Sequence, residues 1–292
     1  MVVKLVAVLG TGTMGQGIAQ VTAAAGLSTR LFDSAPGRAE AAIAQVGAQL
    51  AKLVAKGKIT EDARASTLAA LSPAGDVKTA CTGCDLVIEA VPEDMALKVG
   101  LFRDAAAAAA PGALLASNTS SLSITELGAR IGAPERTIGL HFFNPPPVME
   151  LLEIVRGLGT SDDTLDRAVA FARAVKKSPI VVKDSPGFAS SRLGVILGAE
   201  AIRMLESGVA SVEDIDRAME LGYRHPMGPL KLTDLVGLDV RLAILDHLHK
   251  EVGEQFRAPS LLRTMVRAGK LGKKTGEGFY RWEGGEAKVR SS

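Results

Sequence analysis

Aromatic residues make up only 4% of this 292-residue chain, with one tryptophan and two tyrosines. That is too few to build a stacking platform for nucleic-acid bases. An excess of one charge is also missing: 34 lysines and arginines meet 32 aspartates and glutamates, for a net charge of +2. The basic residues are scattered, so neither nucleic acid nor a membrane surface is indicated as a partner. No apolar run approaches the roughly 20 residues that cross a bilayer. The chain runs straight into a strand-like segment without a signal-peptide pattern, which points to a cytoplasmic, reducing compartment. The two cysteines, Cys81 and Cys84, fit that compartment. Their C-x-x-C spacing reads as a redox motif, as half of a zinc site, or as two small apolar residues leading into a strand. A zinc site needs a second ligand pair, and none is evident, so no metal is expected.

What is present is a hydrophobic fraction of 47%, enough for a sizeable core. The most informative segment is Gly10-Thr-Gly-Thr-Met-Gly15, directly after the apolar run Val3–Leu9. A strand, then G-x-G-x-x-G, then a helix is the pattern of a dinucleotide-binding turn. Gly10 makes the tight turn, Gly12 admits a pyrophosphate, and Gly15 lets helix and strand pack closely. Thr13 and Met14 open the helix whose N-terminal N–H groups would face the phosphates. A second strand, Ser28–Phe32, ends at Asp33, where a carboxylate would take the ribose hydroxyls of NAD. Arg30 and Arg38 are near enough to keep NADP open.

Along the chain, apolar runs alternate with helical patterns up to about residue 185, which implies a parallel sheet with crossover helices. Strands are expected at Asp85–Val91, Leu114–Ser117, Thr137–His141, Leu151–Val155 and Ile180–Val182. Two helices, Pro36 to Lys56 and Thr60 to Ala70, form a pair longer than a simple crossover needs. After Ser185-Pro186-Gly187 the spacing is helical only, over Arg192–Glu206, Val212–Glu220, Leu230–Glu251 and Ser260–Ala268. The expected organisation is an α/β Rossmann-type N-terminal domain over 1–185 and an all-α C-terminal domain over 186–292. The polar tail from Gly284 is expected to fray.

Two clusters carry chemistry. Ser117-Asn-Thr-Ser-Ser121 follows a strand end, where open α/β sheets bind ligands. It reads as a source of hydrogen bonds to substrate, and also as a cap cluster in which Ser123 and Glu126 form a capping box. His141 closes a strand and is followed by Phe142-Phe-Asn-Pro-Pro-Pro147, a run that stiffens the backbone. Glu153 interrupts the apolar strand Leu151–Val155, where a carboxylate is costly unless paired. His141 is its obvious partner, and such a pair makes a base with a fixed tautomer. The other reading of Glu153 is a solvent-facing or salt-bridged residue.

This combination resembles the 3-hydroxyacyl-CoA dehydrogenase family, including its 3-hydroxybutyryl-CoA members, over nearly the whole chain. The resemblance rests on the glycine motif, Ile88-Glu-Ala-Val-Pro-Glu93, Ala116-Ser-Asn-Thr-Ser-Ser121, Gly139-Leu-His-Phe-Phe-Asn-Pro145 and Pro147-Val-Met-Glu-Leu-Leu-Glu153. Weaker support comes from Asp184-Ser-Pro-Gly-Phe188, the segment Gly228 to Asp239 and Gly272 to Tyr280. It implies NAD-dependent oxidation of a 3-hydroxyacyl-CoA by a homodimer joined through its helical domain. Fatty acid oxidation, butyrate formation, polyester metabolism and aromatic degradation all use this reaction. By similarity His141 is the general base and Glu153 orients it. Ser120 and Asn144 bind the substrate oxygen or the nicotinamide end, while Glu93, Lys98 and Asn118 line the cofactor site. Lys52 and Lys56, one helical turn apart, face CoA phosphates or form a solvated face. Where the family has asparagine this chain has Ser191, so a substrate contact there falls to a shorter hydroxyl. Rival readings are a dehydrogenase of a sugar acid such as L-gulonate and a non-catalytic, crystallin-like relative. The catalytic lysine of β-hydroxyacid dehydrogenases is missing: Gly194 and Gly198 lead to Glu200, with no lysine before Lys231.

Overall fold

In the computed structural model, which describes residues 3–288, the first strand and the glycine turn form as one unit. Strand β1 (Leu5–Leu9) runs into Gly10, whose φ of +95° suits glycine alone, and helix α1 (Thr13–Ala24) follows. A Cβ on Gly15 would stand 1.7 Å from the Gly10 carbonyl oxygen, so only glycine permits this helix–strand approach. After β2 (Ser28–Phe32) come α2 (Arg38–Ala55) and α3 (Glu61–Ala69), packed on each other and on α1. Two short elements then appear where none was expected: β3 (Leu71–Pro73) and α4 (Val77–Cys81). The remainder of this unit is β4 (Leu86–Glu89), α5 (Met95–Ala108), β5 (Leu114–Ser117), α6 (Ile124–Ile131), β6 (Thr137–Phe142), β7 (Leu151–Arg156), α7 (Asp162–Ala174) and β8 (Ser178–Lys183).

The sheet order is β3-β2-β1-β4-β5-β6-β7-β8. All neighbours are parallel except β6 and β7, which pair antiparallel. Period-2 alternation sends Val6 and Val8 to the core under α1, α2 and α7, and Ala7 and Leu9 to the core under α4, α5 and α6. The order reverses between β1 and β4, which opens a crevice at the carboxyl ends of the strands. Pro179 sits inside β8, which is tolerated because β8 is an edge strand. Both cysteines are buried free thiols, Cys81 at the end of α4 and Cys84 just before β4.

The chain divides into two compact units, the first ending at Ser185 and the second starting at Pro186. The second unit holds α8 (Ser190–Glu206), α9 (Val212–Arg217) with a π turn over Ala218–Gly222, α10 (Pro229–Val236), α11 (Leu238–Glu251) and α12 (Ser260–Arg267). The single helix expected over Leu230–Glu251 is two, because Gly237 takes φ +103° and breaks it. Buried Asp234 accepts hydrogen bonds from the N–H groups of Phe279 and Tyr280 and from the Trp282 indole. Buried Asp216 accepts from Leu230, Lys231 and the Tyr280 hydroxyl. The tail does not fray from Gly284: β9 (Arg281–Glu283) and β10 (Glu286–Lys288) pair as a hairpin across Gly284-Gly285, and residues 289–292 lie outside the described ones. No helix among the described residues is long and apolar enough to cross a membrane.

Candidate active site

Strand periodicity builds the central pair. On β6, Leu140 and Phe142 face one core and His141 the other side; on β7, Leu152 and Ile154 do the same around Glu153. Antiparallel register sets His141 directly opposite Glu153. His141 Nδ1 lies 2.8 Å from Glu153 Oε2, with the histidine 7% and the glutamate 0% exposed. Glu153 is thus not solvent-facing. The Phe143 ring lies 4.6 Å from the imidazole, centroid to centroid, and limits its swing. A buried carboxylate on Nδ1 holds the imidazole in one tautomer and orientation.

A second cluster fixes the loop beside it. Asn118 Oδ1 accepts from the N–H of Phe142 at 2.9 Å, and Asn118 N–H donates to the Glu89 carbonyl, so the amide ties three strand ends together. Lys98, 1% exposed, donates to Glu89 at 2.6 Å, pairs with Glu93 at 3.1 Å and reaches the Val91 carbonyl. Its ammonium is buried among these protein acceptors, beside the loop expected to border the cofactor. Glu93 Oε1 accepts from the Thr119 hydroxyl at 2.6 Å and from the Ser120 N–H at 2.9 Å, which folds the serine-rich loop around it. Burial pushes the Glu89 carboxyl up against the pull of Lys98. Burial also opposes the Glu93 charge, yet Lys98, Thr119 and Ser120 outweigh it and hold Glu93 below the usual carboxylate range.

Glu89 itself was not singled out from the sequence. The available signal was a charge ending the apolar strand Leu86–Glu89, the same signal that marked Glu153. Removing Lys98 while keeping Glu89 leaves a buried, unpaired carboxylate. Lys98→Met is therefore expected to cost about 3–5 kcal/mol in unfolding free energy, read by urea denaturation. A second change, Glu89→Gln, should recover much of that loss; an unchanged midpoint in Lys98→Met would contradict the assignment.

The residues for a dinucleotide fit it. No side chain caps α1, so its first-turn N–H groups stay available, and a Cβ on Gly12 would meet nothing within 4 Å. That open space admits a pyrophosphate. Thr13 is exposed and Met14 half-buried in the first turn. Asp33 is held by the Thr11 N–H and hydroxyl, both at 2.8 Å, and by the Ala35 N–H at 3.1 Å. Burial works against its charge, but these donors and Arg38 prevail and keep the carboxyl below its usual range. A cavity of about 1010 Å³, walled by Asp33, Pro36, Ala39, Gly75, Val77 and Ala108, opens beside it, ample for an adenosine.

Other expected residues are placed less tightly. Ser120 lies half-buried in its loop, and Asn144 is exposed before a cis bond to Pro145. Lys52 and Lys56 are exposed at the end of α2. Ser191 is half-buried in the first turn of α8, in the second unit. The capping box at α6 is only half made: Ser123 Oγ accepts from the Glu126 N–H, but the Glu126 carboxylate pairs with Arg130. The Ser123 hydroxyl donates to Asp184.

Residues 5–185 match the family described as 3-hydroxyacyl-CoA dehydrogenase, NAD binding domain, and residues 187–282 match its C-terminal domain. A probable 3-hydroxybutyryl-CoA dehydrogenase of Bacillus subtilis is 45% identical over 97% of this chain and 99% of its own length. The 3-hydroxybutyryl-CoA dehydrogenase of Clostridioides difficile is 42% identical over 94% of this chain and 98% of its own. The crystal structure of (S)-3-hydroxybutyryl-CoA dehydrogenase from Ralstonia eutropha superposes with a TM-score of 0.92, at 41% identity, over 96% of this chain and 99% of that one.

Proposed function

The chain belongs to the 3-hydroxyacyl-CoA dehydrogenase family, and from that premise we propose that His141 is the general base of its reaction, oriented by Glu153. The reaction is the NAD-dependent oxidation of a 3-hydroxyacyl-CoA to the 3-oxoacyl-CoA, and its reverse. The observation that carries the assignment is the 2.8 Å contact between His141 Nδ1 and Glu153 Oε2 on facing strands. Bound NAD supplies the hydride chemistry at its nicotinamide ring.

The chain's own residues handle the proton. Glu153 accepts the hydrogen bond from Nδ1–H, which makes Nε2 the atom that takes the proton of the substrate 3-hydroxyl. As the imidazole becomes positive, the adjacent carboxylate offsets the charge. In the reverse direction Nε2–H gives its proton to the 3-oxo oxygen. Ser120, Asn144 and Ser191 hydrogen-bond that oxygen or the nicotinamide end. Asn118 holds the histidine loop in register, and Lys98 and Glu89 act beneath it as positioning residues. Gly10, Gly12, Thr13, Met14 and Gly15 cradle the pyrophosphate, Asp33 takes the adenine ribose, and Glu93 borders the nicotinamide end. Lys52 and Lys56 meet the CoA phosphates. The working form is a cytoplasmic homodimer built through the second unit, where Leu193, Leu221 and Tyr223 are 68%, 71% and 76% exposed.

Asp33 also bears on the choice of cofactor. A carboxylate that takes the ribose hydroxyls repels a 2′-phosphate, and Arg30 is spent on the Thr79 and Thr82 carbonyls at 3.2 and 2.8 Å. Arg38 remains close, with Nε 3.9 Å from Asp33. Acetoacetyl-CoA reduction followed by nicotinamide absorbance is expected to favour NADH over NADPH in kcat/KM by about 100-fold. Equal use of both would remove Asp33 from the ribose site, and silence with both would contradict the activity.

A further inference from the structure

Lys177 is a buried cation that the reaction as described does not use. It is 9% exposed, and its ammonium donates to the carbonyl oxygens of Pro146 at 2.6 Å and Met149 at 2.7 Å. A lysine is rarely buried unless its charge meets acceptors, and here these are main-chain oxygens of one short segment. The end of α7 sets it there. Lys176 takes φ +58°, its N–H returns to the Arg173 carbonyl, and the Lys177 N–H returns to the Ala172 carbonyl. This double closure is a Schellman cap, which fixes the backbone of Lys177 just before β8.

The segment it holds joins β6, with His141, to β7, with Glu153. Its composition explains why an outside donor is needed. Pro145, Pro146 and Pro147 have no N–H, so the backbone there can be tied only through its carbonyls. The Val148 and Met149 N–H groups both turn inward to the Pro145 carbonyl, at 3.0 and 3.1 Å. An ammonium carries three donors on a flexible stem and can serve two carbonyls at once. On its other side the segment lies against α1. A Cβ on Gly17 would stand 2.7 Å from Cδ of Pro146, so the proline ring occupies space that a side chain at 17 would fill. The segment is thus gripped between the helix of the nucleotide turn and the Lys177 ammonium. Asn144 stands two residues before Pro146.

We propose that Lys177 is a positioning residue for the dehydrogenase reaction: by holding the Pro146 and Met149 carbonyls it fixes the segment that presents Asn144 to the reacting oxygen. This rests on the reading that Asn144 hydrogen-bonds that oxygen. Lys177 acts through Asn144 and takes no part in the proton transfer. A donor displaced by about 1 Å loses much of its effect on the transition state, which is why an ammonium remote from the chemistry bears on the rate.

The test is a double-mutant cycle in acetoacetyl-CoA reduction. Turnover is counted per NADH-binding site, titrated by fluorescence, so that partly unfolded protein does not imitate a slow enzyme. Lys177→Met is expected to lower kcat about tenfold and to leave KM for NADH unchanged. Asn144→Ala is expected to lower kcat about 100-fold. With Asn144 already truncated, Lys177→Met should cost less than about twofold more, because the residue it acts through is gone. A normal kcat in Lys177→Met overturns the inference. So does a full further loss of about tenfold in the Asn144→Ala background, which would make Lys177 a general support of the fold. Where Lys177→Met yields no folded protein, Lys177→Gln, whose shorter amide reaches at most one of the two carbonyls, runs the same cycle with the same expectation. A normal kcat in Asn144→Ala sinks the reading of Asn144 together with this one; a slowed Asn144→Ala beside an undisturbed Lys177→Met sinks this inference alone.

Discussion

His141→Ala lowers kcat by about 1,000-fold, within the range that general acid–base catalysis contributes, while NAD binding is unchanged. The separation follows from the architecture. The pyrophosphate turn and Asp33 lie at β1 and β2, and His141 lies at the end of β6, three strands from β1 in the sheet. Truncating the imidazole removes the acceptor for the 3-hydroxyl proton and leaves the glycine turn untouched. Steady-state kinetics with acetoacetyl-CoA, together with NADH titration by fluorescence, reads both halves. A near-normal kcat would remove His141 from the proton transfer. A lost NADH affinity would mean that the histidine braces the cofactor site instead.

Glu153→Gln is expected to lower kcat by about 100-fold with KM for NADH unchanged. The amide keeps the size of the carboxylate, so β6 and β7 still pair, but it brings no charge to set against the imidazolium. It can also turn its NH2 toward Nδ1 and so stabilise the tautomer with the proton on the wrong nitrogen. Thermal unfolding of the same variant separates a catalytic role from a structural one. A loss of kcat with a nearly constant midpoint fits an orienting carboxylate; a large fall in midpoint with normal kcat would make Glu153 a strand-pairing residue only. Glu153→Asp should keep the charge at a longer reach and fall between the two.

Much of the sheet was legible because buried parallel strands are continuous apolar runs and their partners are marked by glycine and helix signals. β1, β2 and β5 could be read almost to the residue. β3 and α4 could not: three residues with a proline make no pattern, and a five-residue helix shows only its Asp76 cap. The hairpin β9–β10 carried a sign in Gly284-Gly285, but three-residue strands of polar composition look like a tail. Gly237 was read as part of a helix because isolated glycines often are; its positive φ is set by α10 and α11 packing on each other, which no local signal carries. At the site, His141 and Glu153 were found by one physical argument, a charge in an apolar strand seeking a partner. The same argument applied to Glu89 leads to Lys98 and to the brace beneath the Ser117–Ser121 loop. Sequence alone does not reveal the two acidic neighbours, Glu89 and Glu93, around the Lys98 ammonium.

The most direct measurement is a crystal structure of the protein with NAD and acetoacetyl-CoA both bound. The 3-oxo oxygen should lie within about 2.6–3.2 Å of His141 Nε2, with Nδ1 still on Glu153 and carbon 3 beside the nicotinamide ring. An oxygen held elsewhere, with Nε2 turned away from it or Glu153 parted from the imidazole, would contradict the account.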